Sequence, residues 1–198
     1  MILPNQLTVL RIILTPVFLI LFISDDPFYK QLSIVVFIIA AITDWYDGWL
    51  ARKFNYITAS GKFLDPLADK ILTSTAFFAF VYLNVLALWM VLIIVIRDFL
   101  ITFLRFYAEI KNKSVNTIKS AKWKTFFQMA FIYYLLCVFV LKTVDWIYEG
   151  NEKIFAHLTD PDFIFYTMLF ITLFTLWTGI TYSIKNKKLI KSIFTFEN

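Results

Sequence analysis

The sequence predicts an all-α membrane protein of about six transmembrane helices, folded as one domain over residues 1–198, and three observations lead there. Hydrophobic residues make up 60% of the chain and aromatic residues 20%, with a mean hydropathy of +0.73, well outside the range of a soluble domain of 198 residues. The apolar residues fall into runs of about 20, the length that crosses a hydrocarbon core, separated by short polar stretches. Lysine and arginine crowd into alternate connections, as they do in a chain threaded back and forth through a bilayer. With no internal repeat, low-complexity tract or linker, a single polytopic unit is expected.

Taken in order, the spans are Leu7–Ile23, Leu32–Trp49, Phe63–Leu83, Leu86–Tyr107, Phe126–Trp146 and Phe163–Ile184. The opening Met-Ile-Leu-Pro-Asn-Gln-Leu-Thr has neither a basic residue before the apolar run nor a small-residue cleavage site after it, so the first helix is expected to stay in the mature protein. The second and third spans are joined by a stretch with Arg52, Lys53 and Lys62, and the fourth and fifth by one with Lys111, Lys113, Lys119, Lys122 and Lys124. After the sixth come Lys185, Lys187, Lys188 and Lys191. On the opposite side Lys30, Lys142 and Lys153 sit among Asp25, Asp26, Asp145, Glu149, Glu152, Asp160 and Asp162. Basic residues are retained in the cytosol, so both termini are predicted cytosolic, in keeping with an even number of spans. The net charge of +5 is thereby gathered on the face that meets anionic head groups, and membrane lipids rather than nucleic acid are the expected partners. The single cysteine, Cys137, and single histidine, His157, exclude a disulfide framework and a thiolate or histidine metal site.

Carboxylates carry the chemistry. Asp44, Asp47 and Ala51 fall at i, i+3 and i+7 at the end of the second span, and so share a helical face. Gly61, Asp65 and Asp69 fall at i, i+4 and i+8 and share another. A connection of roughly ten residues lets these faces meet and brings four acids together just inside the cytosolic boundary. One acid at the centre of a spanning helix costs about 2.5–3.5 kcal/mol, and like charges held together repel further, so a cation is required between them. An all-oxygen donor set favours Mg²⁺ or Mn²⁺, and two such ions would neutralise four carboxylates. A two-metal site suits phosphoryl chemistry, where the ions clamp a pyrophosphate and stabilise the attacking and leaving oxygens. Individually, Asp65 before Pro66 reads equally as a helix cap, and Asp44 or Asp47 as a partner of Arg52 or Lys53. Neither explanation accounts for the joint spacing. Gly48 and Gly61, two of only four glycines, flank the acids and let a ligand approach the backbone closely.

Read together, Asp44, Asp47, Gly48, Ala51, Arg52, Gly61, Asp65 and Asp69 reproduce the pattern Asp-x2-Asp-Gly-x2-Ala-Arg-x8-Gly-x3-Asp-x3-Asp, and the chain thereby resembles the CDP-alcohol phosphotransferases. The resemblance implies a six-helix CDP-alcohol phosphotransferase fold, a homodimer, and transfer of the phosphatidyl group of a CDP-lipid to an alcohol with release of CMP. It implies Asp44, Asp47, Asp65 and Asp69 as metal ligands and Asp69 as the general base. Asn5, Thr8, Gly48, Ala51, Arg52, Thr58 and Gly61 are its implied contacts to the CDP-lipid, Arg52 being suited to the pyrophosphate by its paired donors.

Three further segments, Pro4 to Arg11, Arg97 to Arg105 and Ala121 to Met129, resemble the bacterial branch of that family whose acceptor is glycerol 3-phosphate. An inner-membrane location, with CDP-diacylglycerol as donor and the active site facing the cytosol, follows from the resemblance. Asp98 stands where that branch usually has glutamate, and Ala121 where it usually has glycine. Independently, an anionic acceptor needs cations facing the cavity. Arg97, Ile101 and Arg105 share a face of the fourth span, and intramembrane arginines are functional candidates. Lys122 and Lys124 lie where the fifth span begins and complete the expected acceptor-phosphate site; their other explanation is topology, and that of Arg97 a structural pair. Competing readings are the same chemistry with phosphatidylglycerol, serine or inositol phosphate as acceptor, and, from a different class, a divalent-metal carrier. A carrier would distribute acids along several spans, whereas these gather at one boundary.

Overall fold

Two Asp-Pro steps show how local sequence starts these helices. Asp26 accepts the amide N–H of Phe28 at 2.8 Å just ahead of Pro27, and Asp160 accepts that of Asp162 at 2.9 Å just ahead of Pro161. Each carboxylate satisfies an orphan first-turn donor, and the proline that follows has no N–H to satisfy. In the computed structural model, which describes residues 3–54, 59–111, 119–187 and 190, these steps open two of the long helices. Side chains are described for all of these except residues 3–5, 44, 45, 47–52, 54, 59–63 and 119.

Among the described residues the chain forms only helices: α1 (Leu3–Phe22), α2 (Pro27–Phe54), α3 (Ala59–Tyr82), α4 (Leu88–Ile110), α5 (Lys119–Leu141), α6 (Asp145–Tyr148), α7 (Glu152–Leu158) and α8 (Pro161–Lys185). Each expected span corresponds to a long helix, with three differences. Pro66 lies inside α3 rather than at its start, so Asp65 is not a helix cap there; the helix instead runs on through a proline that removes one ladder hydrogen bond. The interval between α2 and α3 is residues 55–58, far shorter than the roughly ten-residue connection expected, because both helices continue past the apolar runs. The fifth helix ends at Leu141, not Trp146. There the Thr143 hydroxyl donates to the carbonyl of Val140 at 2.7 Å, and the Thr143 carbonyl accepts from Gln31 of α2 at 3.0 Å. Val144 is extended, and Trp146 belongs to the separate short helix α6.

The long helices close a ring in which α1 packs on α2 and α3, α3 on α4, α4 on α8, α8 on α5, and α5 on α2, with α3 also touching α5. Consecutive long helices run up and down, so the starts of α1, α3 and α5 meet the ends of α2, α4 and α8. At the opposite end lies an aromatic and aliphatic core of Phe18, Phe22, Phe37, Phe77, Phe80, Met90, Leu135 and Met168. Its rings interlock at centroid separations of 5.0 Å for Phe18–Phe37, 5.1 Å for Phe22–Phe80 and 5.5 Å for Phe80–Phe139.

The outer faces are as apolar as this core. Ile13 and Ile20 of α1 are 57% and 67% exposed, and Phe170 and Ile180 of α8 are 56% and 59% exposed. Helices apolar all round suit a lipid solvent. Among the described residues, Ser120–Leu141 and Glu152–Lys185 are long and apolar enough to cross a membrane, the latter being broken at Thr159 and Asp160 so that α8 forms its apolar part. Gln6–Phe22 and Pro27–Thr43 are apolar but shorter.

Candidate active site

The polar end of the ring begins with α3. Asp65 and Asp69 are one turn apart, and each has a different neighbour. The hydroxyl of Thr8, a fully buried residue of α1, donates to Asp65 Oδ1 at 2.5 Å, fixing that carboxylate from the adjacent helix. Asp69 Oδ2 accepts from Lys70 Nζ at 3.1 Å, and its side chain stays 29% exposed. It faces a cavity of about 390 Å³ whose wall includes Pro66, Lys70, Thr102, Arg105, Phe106 and Glu109. Asp44, Asp47, Gly48, Ala51 and Arg52 lie in the last turns of α2, Gly61 in the first turn of α3 and Asn5 in the first turn of α1. The side chains of all but the glycines, and Thr58 altogether, are outside the described residues, as is the proposed pairing of Asp44 or Asp47 with Arg52 or Lys53. Among the described residues no group of three or more acidic, histidine or cysteine side chains forms a metal cluster.

A second cavity, of about 550 Å³, opens between α3, α4 and α5. The i, i+4, i+8 face of α4 supplies Arg97, Ile101 and Arg105 to it, and the first turns of α5 supply Lys122 and Lys124, so all four expected acceptor cations line one space. Lys70, Thr102 and Arg105 belong to both cavities and join the two, placing Asp69 beside the cationic chamber.

The cations differ in how they are held. Lys124, 1% exposed, donates to Asp98 Oδ1 at 2.5 Å, and Arg97 Nη1 donates to the same oxygen at 3.1 Å. One buried carboxylate thus anchors two cations and leaves a net positive charge. Arg97 reaches further, donating from Nη2 to Thr178 Oγ1 of α8 at 3.0 Å. Its pair with a neighbouring helix, one of the two sequence readings, is therefore present together with its place in the cavity wall. Arg105 is exposed and lies 5.7 Å over the ring of Tyr182, also of α8, a cation–π arrangement. Lys122 is exposed at the rim.

Sequence reasoning passed over Lys70, Thr102, Thr178 and Tyr182, and it noted Asp98 only as a departure. A signal existed for Lys70 and Asp98, since charges inside a predicted span are functional candidates whatever their motif. None existed for Thr178, a hydroxyl in an apolar helix 81 positions from its partner.

Over residues 1–184 the chain matches the family described as CDP-alcohol phosphatidyltransferase. It is similar to a Rickettsia bellii protein named CDP-diacylglycerol--glycerol-3-phosphate 3-phosphatidyltransferase, with 34% identity over 173 residues, 87% of this chain and 90% of that one. Proteins of the same name from Bacillus subtilis and Wigglesworthia glossinidia brevipalpis are 38% and 42% identical, over 68% and 67% of this chain and 76% and 75% of theirs.

Proposed function

The chain belongs to the CDP-alcohol phosphatidyltransferase family, and on that premise we propose that it transfers the phosphatidyl group of CDP-diacylglycerol to glycerol 3-phosphate, giving phosphatidylglycerophosphate and CMP. The observation that carries the acceptor is the cavity between α3, α4 and α5: among the described residues its wall sets five cations, Lys70, Arg97, Arg105, Lys122 and Lys124, against one acid, Asp98. A phosphate dianion is the complementary charge, and arginine forks match its oxygens. The relatives named for this reaction support the same acceptor.

In this reading Asp69 accepts the proton of the acceptor hydroxyl as its oxygen bonds to the β-phosphorus; the bond from that phosphorus to the bridging oxygen breaks, and the oxygen departs with CMP. Arg105 and Lys70, shared by both cavities, hold the acceptor phosphate so that its hydroxyl reaches Asp69. Thr8 orients Asp65, and Arg52 with the other motif positions holds the pyrophosphate.

The family depends on divalent metal, and the residues fit it: Asp65 and Asp69 offer hard carboxylate oxygens with neither sulfur nor imidazole nearby. Asp44, Asp47, Asp65 and Asp69 would hold two Mg²⁺ or Mn²⁺ ions. When bound, they supply positive charge that stabilises the developing phosphorane and the leaving oxygen. Six spans, cytosolic termini, an inner-membrane location, a single domain and a homodimer belong to the same reading. It is supported by the one-sided lysines and the apolar outer faces.

The test is CMP release by purified protein given CDP-diacylglycerol and Mg²⁺, with glycerol 3-phosphate, serine, inositol phosphate or phosphatidylglycerol offered separately. Release with glycerol 3-phosphate alone, abolished by a chelator, is expected. Release with another acceptor replaces the product; metal flux into sealed vesicles without CMP release overturns the enzyme reading.

A further inference from the structure

Arg97 is held from behind as well as from within the cavity. Its Nη1 is tied to Asp98 on its own helix, and its Nη2 to Thr178 Oγ1 of α8. The Thr178 hydroxyl donates its own proton to the carbonyl of Thr175 at 2.9 Å, which leaves only lone pairs to face the guanidinium. Thr178 is fully buried and is not part of the cavity wall, so its hydrogen bond reaches that space through Arg97. The next residue is Gly179, where an added Cβ would stand 3.2 Å from Arg97 Cγ and 3.5 Å from Nε. Any side chain there presses on the arginine stem. Beyond Arg97 lies an apolar groove of about 680 Å³ between α4 and α8, lined by Ile93, Leu100, Leu176 and Ile180 among others, into which a displaced stem has room to move.

We propose that Thr178 and Gly179 are positioning residues for acceptor recognition: the hydroxyl fixes the outer nitrogen of Arg97, and the missing side chain leaves the lane in which its stem lies. This assigns α8 a part in choosing a phosphorylated acceptor. The inference rests on the acceptor reading given above, with Arg97 facing an anion.

Thr178→Val keeps the shape and removes the acceptor of a charged hydrogen bond, so the KM for glycerol 3-phosphate is expected to rise about tenfold. The KM for CDP-diacylglycerol should stay within about twofold, with kcat little changed, as for an interaction lost equally from ground and transition states. Thr178→Ser, which retains both hydrogen bonds, is expected to restore the wild-type acceptor KM. Gly179→Ala should raise the same constant by pushing the stem, and it remains informative if the valine variant does not fold. Discrimination against glycerol, which lacks the phosphate, should weaken in both Thr178→Val and Gly179→Ala. An unchanged acceptor KM in folded Thr178→Val or Gly179→Ala, an equal rise for both substrates, or failure of serine to rescue overturns the inference. Absence of glycerol 3-phosphate turnover in the wild-type protein strikes instead at the proposed function.

Discussion

The two ends of the helical ring are built on opposite principles. At one end Phe18, Phe22, Phe37 and Phe80 interlock with no polar group among them; ring-to-ring contact ties α1, α2, α3 and α5 together, and aliphatic residues such as Met90 and Met168 add α4 and α8. At the other, α1 meets α3 through Thr8–Asp65, and α4, α5 and α8 meet through Lys124–Asp98, Arg97–Thr178 and Gln128–Thr175, the last at 3.4 Å. On the six-span reading the ring stands in lipid, and the first arrangement then rests on dispersion, because hydrocarbon tails are as apolar as the side chains and burial gains little. The second removes charges from water and recovers the cost only if each is paired. The lesson is a division of labour: one end sets how the helices stand, and the other spends that rigidity on keeping charges where a substrate needs them.

Five substitutions probe that division. The largest effect is expected from Asp69→Asn, which nearly conserves volume and removes the proposed base. Turnover should fall by about 10⁴-fold while the protein remains folded in detergent, and CMP release in that variant decides the matter. Lys124→Met strips a buried carboxylate of its nearest cation and should cost about 3 kcal/mol or more of stability, along with a raised acceptor KM. Adding Asp98→Asn should recover most of the stability and none of the acceptor affinity, separable by thermal denaturation and initial rates. Phe80→Ala, at the other end, should lower stability by about 3 kcal/mol and leave both Michaelis constants unchanged. A shifted acceptor KM there would show that the two ends are not independent. Lys122→Ala should change the acceptor KM by only about twofold, because an exposed charge at the rim is screened by water and salt.

Much of this was legible in the sequence, for reasons that differ by residue. Helical period places Arg97, Ile101 and Arg105 on one face, and that face does line the cavity. Apolar runs locate the long helices, since lipid leaves the backbone no other way to satisfy itself. The same reading carried the fifth span through to Trp146, because the tertiary bond from Gln31 to the Thr143 carbonyl has no trace in hydropathy. Asp65 was open to interpretation as a cap for a similar reason: only the observed course of α3 shows the helix passing through Pro66. The contribution of α8 was invisible. Its threonines at 172, 175 and 178 read as ordinary members of an apolar run, and their meaning depends on which helix lies alongside.

On the proposed six-span reading, in which α4 and α5 both cross the bilayer, the contact between Arg97 and Asp98 has a consequence for how the chain enters the membrane. These neighbours pair within one helix, at 3.1 Å, and need no other element to do so. A lone arginine or aspartate in the middle of a helix costs about 2.5–3.5 kcal/mol to insert. Carried as an internally neutralised couple, the two can leave the translocation machinery together as soon as α4 is synthesised. Lys124, which arrives on α5 and has no acid beside it in sequence, then finds its counter-charge already waiting in the bilayer. On that reading the order of the chain is also an order of assembly for Asp98 and its two cations, one entering beside it and the other after it.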